Sequence, residues 1–83
     1  MSLQDVYKTL KNEYNSGIFF LEDDKIGWVY NNEGVDTHEA AEDRWLSFLG
    51  AKLTAQNIIG EQFEIYEKFD CNHKIGFFIR EII

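Results

Sequence analysis

The sequence predicts an α+β fold of order α-β-β-α-β-β, two helices packed on a four-stranded, mostly antiparallel sheet. Three observations carry this reading. Two segments repeat apolar residues at helical spacing. Four short β-forming runs fall into two pairs, each broken by a polar turn. The pairs alternate with the helices, and the simplest layering sets both helices on one sheet face. At 83 residues, one domain spanning 1–83 is expected.

Residues 2–15 read as an amphipathic helix, because Leu3, Val6, Tyr7, Leu10 and Tyr14 share one helical face. Ser2 caps its start with Asp5 three positions on, an imperfect capping box. Asn15-Ser16-Gly17 is a stop signal, with Gly17 suited to a left-handed C′ position. Ile18-Phe19-Phe20-Leu21 and Ile26-Gly27-Trp28-Val29-Tyr30 flank the polar break at Glu22-Asp23-Asp24-Lys25 and read as a hairpin. Asn31-Asn32-Glu33-Gly34 is a loop.

Asp36 followed by Glu39 marks the start of a second helix. Ala41, Trp45, Phe48 and Leu49 are expected on its buried face, with Leu53 extending it. Its end falls at Gly50 or nearer Gln56, so residues 51–59 are left open between helix, loop and strand. From Gly60 the chain turns β-like again, with Phe63, Ile65 and Phe69 spaced by two and four. Asp70-Cys71-Asn72-His73 is the turn of a second hairpin, and Ile75 to Ile83 its last strand. Lys25-Ile26-Gly27-Trp28 is echoed by Lys74-Ile75-Gly76-Phe77, each just after a hairpin turn. A glycine inside a strand lets a large side chain or a backbone approach closely.

Alternation predicts large apolar groups on both sheet faces. Ile26, Trp28 and Tyr30 oppose Val29; Ile75, Phe77 and Ile79 oppose Phe78 and Ile82; Phe19 and Leu21 oppose Ile18 and Phe20. Two helices cover one face. The other needs a cover, from a homodimer mate or a partner protein, since monomers seldom leave large apolar patches bare, or else from helices splayed over both faces or the 50–60 segment folded across it.

The apolar and aromatic content, 45% and 16%, is enough for a packed core and excludes an intrinsically disordered chain. Net charge is −7, and its placement says more than its size. Residues 22–43 hold Glu22, Asp23, Asp24, Glu33, Asp36, Glu39, Glu42 and Asp43 against one base, Lys25. The remaining acids and bases balance, so the whole imbalance lies in this stretch, which is an argument about partners. Eight scattered Lys and Arg do not make the cluster that phosphate neutralisation requires, so direct nucleic-acid binding is disfavoured. The single cysteine allows no intramolecular disulfide. The opening Met1-Ser2-Leu3-Gln4-Asp5 lacks a basic, then apolar, secretory pattern, and no apolar run reaches membrane-spanning length. A cytoplasmic location without membrane association is expected.

No chemistry-bearing motif stands out. The glycines are isolated, and neither Gly-x-Ser-x-Gly nor His-Glu-x-x-His occurs. His38 and Glu42 share a helix face with Asp36 nearby, but they form no full metal-ligand set and read as a solvated first turn. Cys71 and His73 flank one turn residue and make at most half a zinc site. Glu22-Asp23-Asp24 lacks the spacing of a calcium loop and reads as a charged turn. No catalysis, metal or cofactor is therefore expected.

The function expected is a small acidic protein-interaction or inhibitor module. The eight acids would meet a basic protein surface, since carboxylates steer and select partners. Trp28, Tyr30, Phe77 and Phe78 are the candidate apolar interface or pocket. An alternative is a dimeric small-molecule-binding regulatory domain with Trp28, Tyr30 and Trp45 as lining. A further alternative is a nucleic-acid mimic whose carboxylates replace phosphates and block a DNA- or RNA-binding protein. That role requires acids in a row at phosphate-like spacing.

Overall fold

A computed structural model describes residues 2–32, 37–71 and 73–82. The elements are α1 (Leu3–Glu13), β1 (Ile18–Glu22), β2 (Lys25–Asn31), α2 (His38–Ile59), β3 (Phe63–Cys71) and β4 (Lys74–Glu81). The strands form one sheet of order β1-β2-β4-β3, antiparallel at every junction. The predicted α-β-β-α-β-β architecture is the one observed. Among the described residues no helix is long and apolar enough to cross a membrane.

α1 begins with the predicted capping box. The Asp5 amide donates to Ser2 Oγ at 3.2 Å, and the Ser2 amide donates to the Asp5 carboxylate at 3.4 Å. Hydrogen bonding to the Asp5 carboxylate, from the Ser2 side chain first and the Ser2 amide second, holds that carboxyl below its ordinary value. Val6 and Leu10 are the fully buried residues of the helix. It ends at Glu13, earlier than Asn15-Ser16-Gly17 implied, with Tyr14 extended at its C-cap. Gly17 does adopt a left-handed φ of +76°, but for a different reason. A Cβ there would lie 2.7 Å from the Trp28 indole. Glycine is needed because the ring presses on the backbone.

α2 starts at His38 under a Thr37 cap, whose side chain accepts from the Ala40 amide at 3.0 Å. It runs unbroken through Gly50 to Ile59, so residues 51–59 are helical. Gly50 sits inside the helix because Tyr14 packs against it; a Cβ would lie 2.5 Å from the Tyr14 hydroxyl. That hydroxyl donates to the Ser47 carbonyl at 2.8 Å, and the Ser16 and Ser47 hydroxyls meet at 2.9 Å. The end of α1 is thereby fastened to the middle of α2.

The buried face of α2 differs from the expected one. Ala40, Phe48, Ala51, Ala55 and Ile59 face the sheet, whereas Ala41, Trp45, Leu49 and Leu53 face solvent. The cause lies beneath the helix. Trp28 and Phe77 stand up from the central strands and stack at 5.6 Å, and Phe48 fits against both. With those rings filling the gap, the helix positions next to Phe48 must be small, and Ala51 and Ala55 meet that demand.

The core is therefore one-sided. Val6 and Leu10 of α1 and Phe48, Ala51, Ala55 and Ile59 of α2 join Phe19, Ile26, Trp28, Phe63, Ile75, Phe77 and Ile79 of the sheet. The opposite face carries no helix. Phe78 is the hub there, with the rings of Phe20, Tyr66 and Phe69 about 6 Å away. Phe69 reaches this face through a bulge: Glu67 and Lys68 together oppose Phe77, between the pairs Tyr66↔Phe78 and Phe69↔Gly76. Simple alternation had grouped Phe69 with Phe63 and Ile65.

The two echoed glycines have the close-approach role expected of them. Gly27 pairs directly with Phe20 and Gly76 with Phe69. A Cβ at Gly27 would fall 2.1 Å from the Phe20 ring, and one at Gly76 would fall 2.5 Å from the Phe69 ring. The tip of each phenyl reaches over the glycine on the neighbouring strand, covering backbone that glycine leaves bare.

Two outcomes follow. Trp28→Ala removes the central ring and is expected to cost about 3–5 kcal/mol, against a total of roughly 4–12 kcal/mol for a chain of this length. Urea unfolding followed by circular dichroism will show the midpoint collapse, while Gly27→Ala should cost about 1–3 kcal/mol by displacing Phe20. Second, folding lowers the Asp5 pKa, so its stabilising effect is present above 3.8 and lost as pH falls through the lower folded value. An NMR titration should place the Asp5 midpoint below 3.8, and Ser2→Ala should return it towards that value.

Candidate functional site

The eight acids fall within residues 22–43, and the fold divides the six that are described. Glu22, Asp23 and Asp24 form the tip of the β1–β2 hairpin, where Asp23 takes a left-handed φ of +49°. Glu39, Glu42 and Asp43 lie on the first two turns of α2. Glu33 and Asp36 lie outside the described residues. The seven-residue strand β2 separates the two described groups, a span of about 20 Å. Asn32 fastens the far end of β2 to α2: its amide donates to the Ala40 carbonyl at 2.8 Å and its carbonyl accepts from Arg44 at 2.6 Å. The base nearest the helical acids is thus held by a neutral partner. Glu39, Glu42 and Asp43 are all exposed, and Glu42 comes within 4.0 Å of His38 on the same open face.

The four aromatic candidates also separate. Trp28 and Phe77 are fully buried in the core. Tyr30 is half-buried and stacks on Trp28 at 6.5 Å. Phe78 alone lies on the uncovered sheet face, beneath the Lys25 ammonium at 4.7 Å. Arg80 lies over Tyr66 at 4.3 Å and pairs with Glu64 at 2.7 Å, a bond that raises its pKa. The cationic stems shield part of the aromatic surface.

The surface that joins acids to apolar groups is one the sequence reading did not single out. Along the outward side of α2, Trp45 is 45% exposed, Leu46 54%, Leu49 37% and Leu53 60%. Leu46, Leu49 and Leu53 follow i, i+3, i+7, the seam spacing of a helix that docks on another helix. Glu42 precedes Leu46 by one turn on the same line, and Glu39 lies one turn before that. The signal was present as a second apolar period in the helix, competing with the alanine period at 51 and 55.

Trp45 is held in place at the border of this stripe. It stacks on Phe48 at 5.5 Å, and the Lys68 ammonium sits 4.9 Å from both ring centroids. The β3 bulge is what aims Lys68 towards the helix. Beyond it a groove of about 410 Å³ opens between α2 and the β3 edge, floored by Phe48, Ile59, Ile65 and Phe77, with Lys52 on its rim. Charge along α2 therefore changes from acidic at its start to weakly cationic near Lys52.

No protein-family model, no curated protein and no solved structure matches this chain.

Proposed function

We propose that this chain is a protein-interaction module that receives a basic amphipathic helix along the outward face of α2. The observation that carries this reading is the Leu46–Leu49–Leu53 stripe, exposed and in line with Glu42 and Glu39. An apolar seam flanked by carboxylates is complementary to a helix with leucines on one face and Lys or Arg beside them. Apolar burial supplies affinity. The acids select the basic partner and fix which end of it lies over the start of α2.

The hairpin-tip acids lie too far from α2 to belong to the same short contact, and they offer a longer partner a second basic-binding point. The split of the acids into two groups favours this reading over a phosphate-like row. Burial of Trp28 favours it over a ligand pocket lined by that residue.

The test uses two synthetic helical peptides with identical leucine seams, one flanked by Lys and Arg, the other by Glu. Binding is followed through Trp45, since Trp28 is already buried and changes little. The basic peptide should bind at least roughly tenfold more tightly, about 1.4 kcal/mol, and weaken as salt is raised. Leu49→Asp with Leu53→Asp should abolish binding without loss of helical dichroism, both residues being solvent-facing. Equal binding of the two peptides, or binding that survives the double substitution, would sink the proposal.

A further inference from the structure

The groove between α2 and the β3 edge differs in charge from the rest of the molecule. Its volume of about 410 Å³ is within the usual range of small-molecule sites. Among the described residues, Lys52, Gln56, Glu67 and Lys68 border it, and Phe48, Ile59, Ile65 and Phe77 floor it. Two bases thus stand against one acid, in a chain whose net charge is −7. Polar and apolar groups are also sorted along its length. Lys52 is one turn from Phe48 on α2, and the Lys68 ammonium sits 4.9 Å from the Phe48 ring centroid. Both lysines therefore belong to the Phe48 end, on the helix-covered side of the sheet. Ile59 and Ile65 form the apolar end, two helical turns beyond Lys52, or about 10 Å.

We propose that this groove binds a small apolar carboxylate, its head group held by Lys52 and Lys68 and its alkyl or aryl body laid along Phe48, Ile65 and Ile59. The site is on the flank of α2 turned towards β3. It does not rest on the partner proposed for the leucine stripe.

Charge complementarity selects the head group. Neither lysine pairs with a carboxylate among the described residues. Lys52 is half-buried, and Lys68 is steadied by the Trp45 and Phe48 rings. A ring face attracts an ammonium group but leaves some of its hydrogens for an oxygen acceptor. With Glu67, the three charged groups of the groove sum to +1, which suits one carboxylate and disfavours a dianion such as a phosphate monoester. The acids of α2 do not cancel this charge. Asp43, the nearest of them in sequence, precedes Lys52 by about 14 Å of helix, beyond the ~8 Å over which exposed charges act at physiological salt. Glu64 is engaged by Arg80. The floor selects the body: an apolar stretch about 10 Å long accepts a chain of medium length and offers it no polar partner.

Octanoate and octanol share one alkyl chain and differ in head group. Each is titrated into the isotope-labelled chain at about 0.15 M salt and followed by amide NMR shifts. Octanoate should bind roughly tenfold more tightly than octanol, with the shifts centred on Gln56, Ile65 and Phe77. Lys52→Gln and Lys68→Gln should each weaken octanoate several-fold, leave octanol unchanged and keep the helical dichroism. Lys8→Gln, on α1 and outside the groove, should alter neither ligand. Octanol binding as tightly as octanoate overturns the proposal, because the lysines then select nothing. So does octanoate affinity unchanged in both lysine variants, or a set of shifts centred on Leu46, Leu49 and Leu53. The absence of any shift in octanoate up to about 1 mM overturns it as well. Should a lysine variant unfold, the head-group comparison and the location of the shifts on the unaltered chain decide.

Discussion

The burial of Trp28 is the constraint on which the other contacts of this fold depend. Its ring stacks on Phe77 and Tyr30 and meets Phe19 and Phe48 at an angle, so it touches three of the six elements besides its own. Its indole N–H is paired inside the protein, donating to the Ser16 carbonyl at 2.9 Å. A buried indole needs such a partner, and the acceptor fixes where the chain leaving α1 must cross the sheet. The same ring excludes any side chain at position 17. It also leaves little room beside Phe48, where Ala51 and Ala55 face the sheet. One side chain thus sets the path of the α1–β1 connection and the composition of the α2 buried face.

A second constraint runs along the uncovered side of the sheet. Three aromatic rings gather around Phe78, two of them lying over Gly27 and Gly76. Glycine weakens a strand by its freedom and by leaving backbone bare, and a ring laid across it offsets part of that cost. Lys25 and Arg80 add their stems above the same rings. The face is apolar without being open, which accounts for large side chains on both sides of a sheet covered by helices on one. Ile18, Leu21 and Ile82 are the exposed large apolar residues at the ends and rim of the sheet, while Phe20, Tyr66, Phe69 and Phe78 are part-buried.

α2 has two apolar sides with different duties. The alanine side lets the helix descend onto the aromatic layer, and the leucine side is left exposed among the described residues. The charge gradient along the helix, acids at its start and Lys52 near its middle, gives the outer side a direction as well as a composition.

Much of this was readable from residues in order. The α1 cap follows from Ser2 and Asp5 three positions apart. The hairpins follow from β-forming runs broken by charge, and the roles of Gly27 and Gly76 follow from their places inside strands. These features depend on neighbours in sequence or on a fixed alternation, so local rules reach them. The rest depends on what lies across space. Ala51 and Ala55 prevail over Leu49 and Leu53 for the buried face only because Trp28 and Phe77 already occupy the gap, a volume limit that periodicity does not contain. Phe69 changes face because one extra residue enters β3 opposite Phe77, which alternation does not anticipate. The described acids of the stretch form two groups because β2 carries the chain the length of the sheet between them. Order along the chain specified which residues are charged or apolar; packing specified which of them meet.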